Sequence, residues 1–126
     1  NDIQKKILIP RILNHFNQDL KGKKIAIWGL AFKPETDDIR EAPAMYIIEE
    51  LLKHGATLST YDPEAMPNVK RKLGEQIQYA ENMYQATHNA DALIICTEWS
   101  IFRTPDFKKL KQNLNNPVVF DGRNLY

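Results

Sequence analysis

A chain of 126 residues that is 43% hydrophobic and 26% charged, with 5 Gly and 7 Pro, has the composition of one compact domain, not of a disordered or fibrous segment. Lys and Arg total 17 against 16 Asp and Glu, a formal net charge of +1, so no global field exists to hold a nucleic acid and any anion must be bound locally. The longest apolar runs, such as Ala92–Cys96, fall far short of the roughly 18 to 20 residues of a membrane span, and no charged start leads into a signal-type apolar core, so a cytoplasmic domain without membrane contact is expected.

From about Asp2 to Leu20, the residues Ile3, Ile7, Leu8, Ile12, Leu13, Phe16 and Leu20 recur at helical spacing. Pro10 lies inside this amphipathic helix and is expected to kink or split it. Lys21-Gly22-Lys23 breaks the pattern, and the apolar run 24–29 predicts a first buried strand. Pro43 suits the first turn of a helix that buries Met45, Ile47, Ile48, Leu51 and Leu52 and ends at His54-Gly55. Thr57–Tyr61 alternates as a second strand and is stopped by Asp62-Pro63. Val69 to Leu73 predicts a short helix, residues 77–79 a brief edge strand, and Met83 to His88 one or two helical turns. The run 92–96 is the clearest buried strand. Asp106 is placed to cap a helix carrying Phe107, Leu110 and Leu114, and residues 118–120 form the last strand. Strands alternating with helices predict an α/β fold of Rossmann-like, doubly wound type, built on a mainly parallel sheet with flanking helices. A single Cys96 excludes an intrachain disulfide, and no Cys/His group has zinc spacing, so no metal site is expected. With no initiator Met at Asn1 and an end at Tyr126 soon after an apolar run, the chain is expected to be a piece of a longer one.

Ligands of an open parallel sheet bind outside the carboxyl ends of its strands, which selects the loops after Gly29, after Tyr61, after Cys96 and after Phe120. Gly29 is followed by Leu30, Ala31, Phe32, Lys33 and Pro34, so the glycine fingerprint of a dinucleotide site is missing, and no phosphate-binding Gly-Lys-Ser/Thr motif follows a strand. Phe32 beside Lys33 puts an aromatic face next to a compact cation, which suits a base and a phosphate, although a core plug and a solvated lysine fit equally. Asp37, Asp38, Arg40 and Glu41 form either a self-paired surface network or a cap for the helix at Pro43. The planar forks of Arg40 and Arg123 are fitted to bidentate phosphate recognition, against the alternative of plain surface charges. Asp62 stands where a dinucleotide-binding domain places its ribose acid, but without the glycines it reads as a turn residue. Trp99 and Phe102 wall the nucleotide site or close the core; His15, His54 and His88 read as structural or solvated, and Cys96 as a buried core thiol.

The stretch 29–43, Gly-Leu-Ala-Phe-Lys-Pro-Glu-Thr-Asp-Asp-Ile-Arg-Glu-Ala-Pro, resembles the C-terminal domain of the UDP-glucose 6-dehydrogenases. Residues 61–66, Thr97-Glu98-Trp99 with Phe102, and 120–126 resemble that family's later motifs in the right order, so the likeness runs from about Lys21 to the end. It implies an enzyme with an N-terminal NAD-binding domain, a long central helix that forms a homodimer, and this domain holding the UDP of UDP-glucose. Residues 1–20 would then be the end of the central helix and residues 21–126 the UDP-sugar-binding domain. The resemblance further implies that Phe32, Lys33 and Arg123 contact the sugar nucleotide and that Arg40 reaches NAD. The family's reaction oxidises the sugar C6 hydroxyl to a carboxylate with two NAD through a cysteine-bound intermediate. That cysteine lies in the N-terminal half, so no catalytic residue is expected here and the isolated chain should be inactive. Competing expectations are the same domain of a UDP-N-acetylmannosamine or GDP-mannose dehydrogenase, a non-catalytic interaction module that dimerises through residues 2–20, and a freestanding NAD-binding domain.

Overall fold

A computed structural model of the chain describes residues 2–31, 33–40 and 42–122, with side chains in the first helix from residue 8 onward. The elements run α1 (Asp2–His15), β1 (Lys24–Trp28), α2 (Pro43–Lys53), β2 (Thr57–Tyr61), α3 (Met66–Leu73), β3 (Gln78–Tyr79), α4 (Met83–Ala86), β4 (Ala92–Ile95), α5 (Phe107–Asn113) and β5 (Val119–Asp121), with 3-10 turns at Gly74–Gln76 and Ser100–Phe102. Among the described residues five strands form one sheet in the order β3-β2-β1-β4-β5. Every neighbouring pair is parallel, with Ile25 opposite Leu58 on one side of β1 and opposite Ala92 on the other. The order grows outward from β1 in one direction and then from β4 in the other, so the topological switch lies between these two central strands.

Alternation along the central strands divides the interior into two layers. Ile25 and Ile27 of β1, with Ala92 and Ile94 of β4, face a core completed by α1, α2 and α3. Ala26 and Trp28, with Leu93 and Ile95, face the opposite side, covered by α4, α5 and the 100–102 turn. The helices on this second side are short, and Trp28 fills the space they leave. Its ring stacks on Phe102 at 5.1 Å and 21°, meets Tyr84 edge-on at 6.1 Å, and donates its indole N–H to the Met83 carbonyl at 2.7 Å. Phe102, and with it Trp99, therefore closes this core.

Helix α1 runs through Pro10 as one element, so the expected split does not occur. Proline removes one donor there, but Leu8, Ile9 and Ile12 are buried against α2 and the sheet, and that packing holds the helix across the missing bond. The helix also stops at His15, short of Leu20, because Asn17 and Gln18 take left-handed conformations with φ of 55° and 66°. The expected apolar positions Ile3 and Ile7 lie outside the described side chains. Helix α2 has Pro43 in its first turn and no side-chain cap, so the acidic cluster before it does not serve as one. Asp106 does cap α5, accepting from Lys108 N and Lys109 N at 3.0 and 3.3 Å. Leu110 and Leu114 of that segment are buried, whereas Phe107 is 71% exposed.

Candidate functional site

The head of the sheet, where β1, β2 and β4 end together, is built around the loop that leaves β1. Gly29 continues the ladder by donating to the Tyr61 carbonyl at 2.9 Å and has a φ of 92°, which an L side chain rarely adopts. Thr97, at the end of β4, closes over it: a Cβ on Gly29 would stand 2.6 Å from Thr97 Cβ and Oγ1 and 2.7 Å from its backbone nitrogen. Thr97 Oγ1 donates to the Ala31 carbonyl at 3.0 Å. From the end of β2 comes Asp62, a completely buried side chain. Its Oδ2 accepts from the backbone N–H of Leu30 at 2.7 Å and of Ala31 at 3.3 Å. Its Oδ1 accepts from Glu64 N and Ala65 N, both at 2.8 Å. One carboxylate thereby takes four main-chain donors and ties the β1 loop to the turn that leads into α3.

Beyond Ala31 the loop comes to the surface. Lys33 is exposed, and Glu35 adopts a left-handed conformation at φ 67°. Asp38 and Arg40 form a pair in which Arg40 Nε donates to Oδ1 at 3.0 Å and Nη2 donates to Oδ2 at 2.9 Å. Asp38 Oδ1 also accepts from Arg40 N at 2.9 Å, so the aspartate grips both ends of the arginine. The hydrogen bond from the guanidinium, then that from the backbone, hold the Asp38 carboxyl down to about 2, and the charge of Lys33 contributes in the same direction. A guanidinium carries five N–H donors, and those of Arg40 not turned to Asp38 have no partner among the described residues. The Arg40 side chain is 88% exposed. An open cavity of about 490 Å³ lies here, lined by Thr36, Asp37, Asp38, Ile39, Arg40 and Asn68. Asn68 of α3 donates to the Asp37 carbonyl at 2.8 Å, and Arg71 donates to Asn68 Oδ1, so α3 buttresses the loop from below. The cavity wall carries the carboxylates of Asp37 and Asp38 beside the single guanidinium of Arg40.

Residues 26–126 match the profile of the UDP-glucose/GDP-mannose dehydrogenase family, UDP binding domain. The chain belongs to this family. It is 41% identical over 131 residues to a UDP-glucose 6-dehydrogenase of Pseudomonas aeruginosa and 43% identical over 126 residues to one of Rhizobium meliloti, in both cases across 100% of this chain. It spans 29% of the length of each of those relatives. Among solved structures, a UDP-glucose dehydrogenase from Pyrobaculum islandicum superposes with a TM-score of 0.85 at 29% identity, covering 99% of this chain and 27% of that one. A shikimate dehydrogenase from Aquifex aeolicus, at 14% identity and a TM-score of 0.58, shares the fold alone.

Of the residues singled out from the sequence, Lys33 and Arg40 lie on one stretch of loop and both act on Asp38. Phe32 and Arg123 lie outside the described residues, as do Glu41 and the 124–126 end of the last motif. Within the acidic cluster, Asp38 and Arg40 pair with each other. Cys96 is buried at the end of β4, and burial, with the charge of Asp121, pushes its thiol up to about 12. Trp99 is buried, and its indole N–H has no hydrogen-bond partner among the described residues. No group of three or more His, Cys, Asp or Glu fit to hold a metal occurs among the described residues, and no described helix is long and apolar enough to cross a membrane. The sequence reading missed Asp62 and Thr97 as parts of the site. The signal present was their place directly after two parallel strands, but their partners are main-chain groups roughly thirty and sixty-six positions away. A dinucleotide does not fit at the head of β1. The Leu30 and Ala31 amides that would face its pyrophosphate are spent on Asp62, and Thr97 fills the space beside Gly29.

Proposed function

We propose that this chain holds the UDP of UDP-glucose within a longer NAD-dependent UDP-glucose 6-dehydrogenase that oxidises the sugar C6 hydroxyl to a carboxylate. The observation that carries the reading is the family match over residues 26–126, the UDP-binding domain of that family, with Lys33 exposed at the carboxyl end of β1 where ligands of such sheets sit. Phe32, Lys33 and Arg123 are assigned to the sugar nucleotide. Lys33 supplies a point charge to a phosphate, and Arg123 a bidentate fork. Arg40 is assigned to a phosphate of NAD held by a separate N-terminal domain, through the donors that Asp38 leaves over. Residues 1–20 are assigned to the end of a central helix that pairs two subunits, and residues 21–126 to the UDP domain. Because α1 shares the core with α2 and the sheet, such a helix would be rigidly linked to the UDP domain. A cytoplasmic location follows from such a nucleotide-dependent reaction.

Calorimetric titration of the 126-residue chain with UDP, and separately with NAD, tests the reading. UDP should bind, NAD should not, and Lys33→Ala and Arg123→Ala should each weaken UDP by at least about 1 kcal/mol, as loss of a charge-assisted phosphate bond does. No NADH should form from UDP-glucose and NAD with this chain alone. Binding unaffected by either substitution, or self-association with indifference to UDP, would overturn the assignment.

A further inference from the structure

We propose that Asp62 is an internal anion that takes the place of a nucleotide phosphate on the β1 loop and, together with Thr97, fixes that loop so that Lys33 meets its ligand from a rigid support. The inference rests on the reading of Lys33 as a UDP contact. In a dinucleotide-binding sheet of this strand order, main-chain N–H groups after the first glycine of the β1 loop face the pyrophosphate, and an acid at the end of β2 faces the ribose. Both halves of that arrangement are present here, but they face each other. The Leu30 and Ala31 amides converge on one oxygen of Asp62, in the manner of an anion-binding nest, and its second oxygen is held by Glu64 and Ala65.

Thr97 completes the clamp from the third strand end. Asp62 takes the N–H of Ala31 and Thr97 gives to its C=O, so both polar groups of this one residue are tied to buried side chains that follow the ends of two different strands. Lys33 follows two residues later. A loop of this kind left free would have to be ordered by the ligand at an entropic cost to affinity, and the clamp removes that cost beforehand. The same contacts take the donors and the space a dinucleotide needs. Asp62 and Thr97 are thus positioning residues that exchange dinucleotide binding for a fixed UDP loop.

The test uses Thr97→Val, which keeps the shape and loses the donor, Thr97→Ser, which keeps the donor, and Asp62→Asn, whose NH₂ must face two of the four N–H groups. UDP affinity is measured by calorimetry, and loop order by ¹⁵N relaxation and amide exchange at Leu30, Ala31 and Lys33, on variants that still melt cooperatively. Thr97→Val should raise the mobility of Ala31 and Lys33 and weaken UDP by roughly fivefold or more, and Thr97→Ser should restore both. Lys33→Ala should weaken UDP with the amides of Leu30 and Ala31 as ordered as before. Parent-like order and affinity in Thr97→Val would overturn the clamp. Should the parent chain bind no UDP, the assignment of Lys33 fails by itself. The clamp is then decided by mobility: loosening that Ser reverses supports it, and an unchanged loop in both Thr97→Val and Asp62→Asn overturns it.

Discussion

The two halves of the β1 loop are held by opposite means. From Gly29 to Ala31 the backbone is buried and tied by Asp62 and Thr97, side chains that are themselves shielded from water. From Lys33 to Arg40 the loop is on the surface, and its main internal tie is the Asp38–Arg40 pair, with side chains 35% and 88% exposed. Hydrogen bonds in the first half cannot be exchanged for water without leaving buried groups unpaired, so each is costly to break. The pair in the second half is screened by solvent and salt and adds little to stability. The buried half thereby sets where the loop goes, and the exposed half remains free to trade its partners with solvent.

The largest effect should come from Gly29→Ala. The left-handed φ and the collision with Thr97 act together, and at least about 3 kcal/mol of unfolding free energy should be lost, a large share of what a domain of this size has. Chemical denaturation measures it; a loss under about 1 kcal/mol would mean that the β4 end yields easily and that the buried half is not the rigid partner in this contrast. Next comes Asp62→Asn. Whichever way the amide is turned, two N–H groups face an NH₂, and the loss should be about 2–4 kcal/mol.

How far the sequence anticipated this contrast depends on where the partners lie. Strand β2 was readable to the residue, because Thr57–Tyr61 alternates and Asp62-Pro63 stops it, and β4 was readable as an unbroken apolar run. A mainly parallel sheet was expected from the alternation of strands and helices, and every described strand pair is parallel. Local polar structure, such as the Asp106 cap, was equally legible, since its acceptor and donors sit within three residues. The path of α1 was not. Pro10 acts locally, whereas the burial of Leu8, Ile9 and Ile12 that carries the helix through it comes from tertiary packing. Asp62 looked like a turn residue because a turn is all its neighbours show, and its role rests on Leu30 and Ala31 across the sheet. Lys33 and Arg40 stood out by their chemistry, a point charge beside an aromatic and a planar fork, but only the family motif proposed roles for them, since nothing in their spacing distinguished them from solvated charges.

Titration sharpens the same division, since two acids near the head of the sheet are moved in opposite directions. Cys96, buried at the end of β4, is raised from 9.0 to about 12, a gap of three that leaves roughly a thousandth of the usual thiolate at pH 8. The native chain should therefore resist a thiol-selective alkylating reagent at pH 8 and react only as fast as it opens. A raised thiol pKa contributes stability that is full below the unfolded value near 9 and declines as pH rises towards about 12, so denaturation midpoints should fall across that alkaline window. Prompt alkylation at pH 8 would show that this strand end is open to solvent.

The smallest effect belongs to Asp38. Arg40 holds its carboxyl near 2, below the ordinary 3.8, so its contribution is present above pH 4 and is lost as the pH falls towards 2, the reverse of the Cys96 case. Being at the surface, the pair should leave the denaturation midpoint unchanged when Asp38 becomes Asn. What should change is the Arg40 fork: its Nε–H signal, distinct while the pair holds, should collapse to that of a free arginine as the Asp38 carboxyl carbon titrates with a midpoint of about 2. A midpoint at 3.8 would show that the guanidinium does not rest on Asp38 in solution. The exposed half of the loop would then lack its main internal tie, and the Arg40 side chain would be free to turn in solvent.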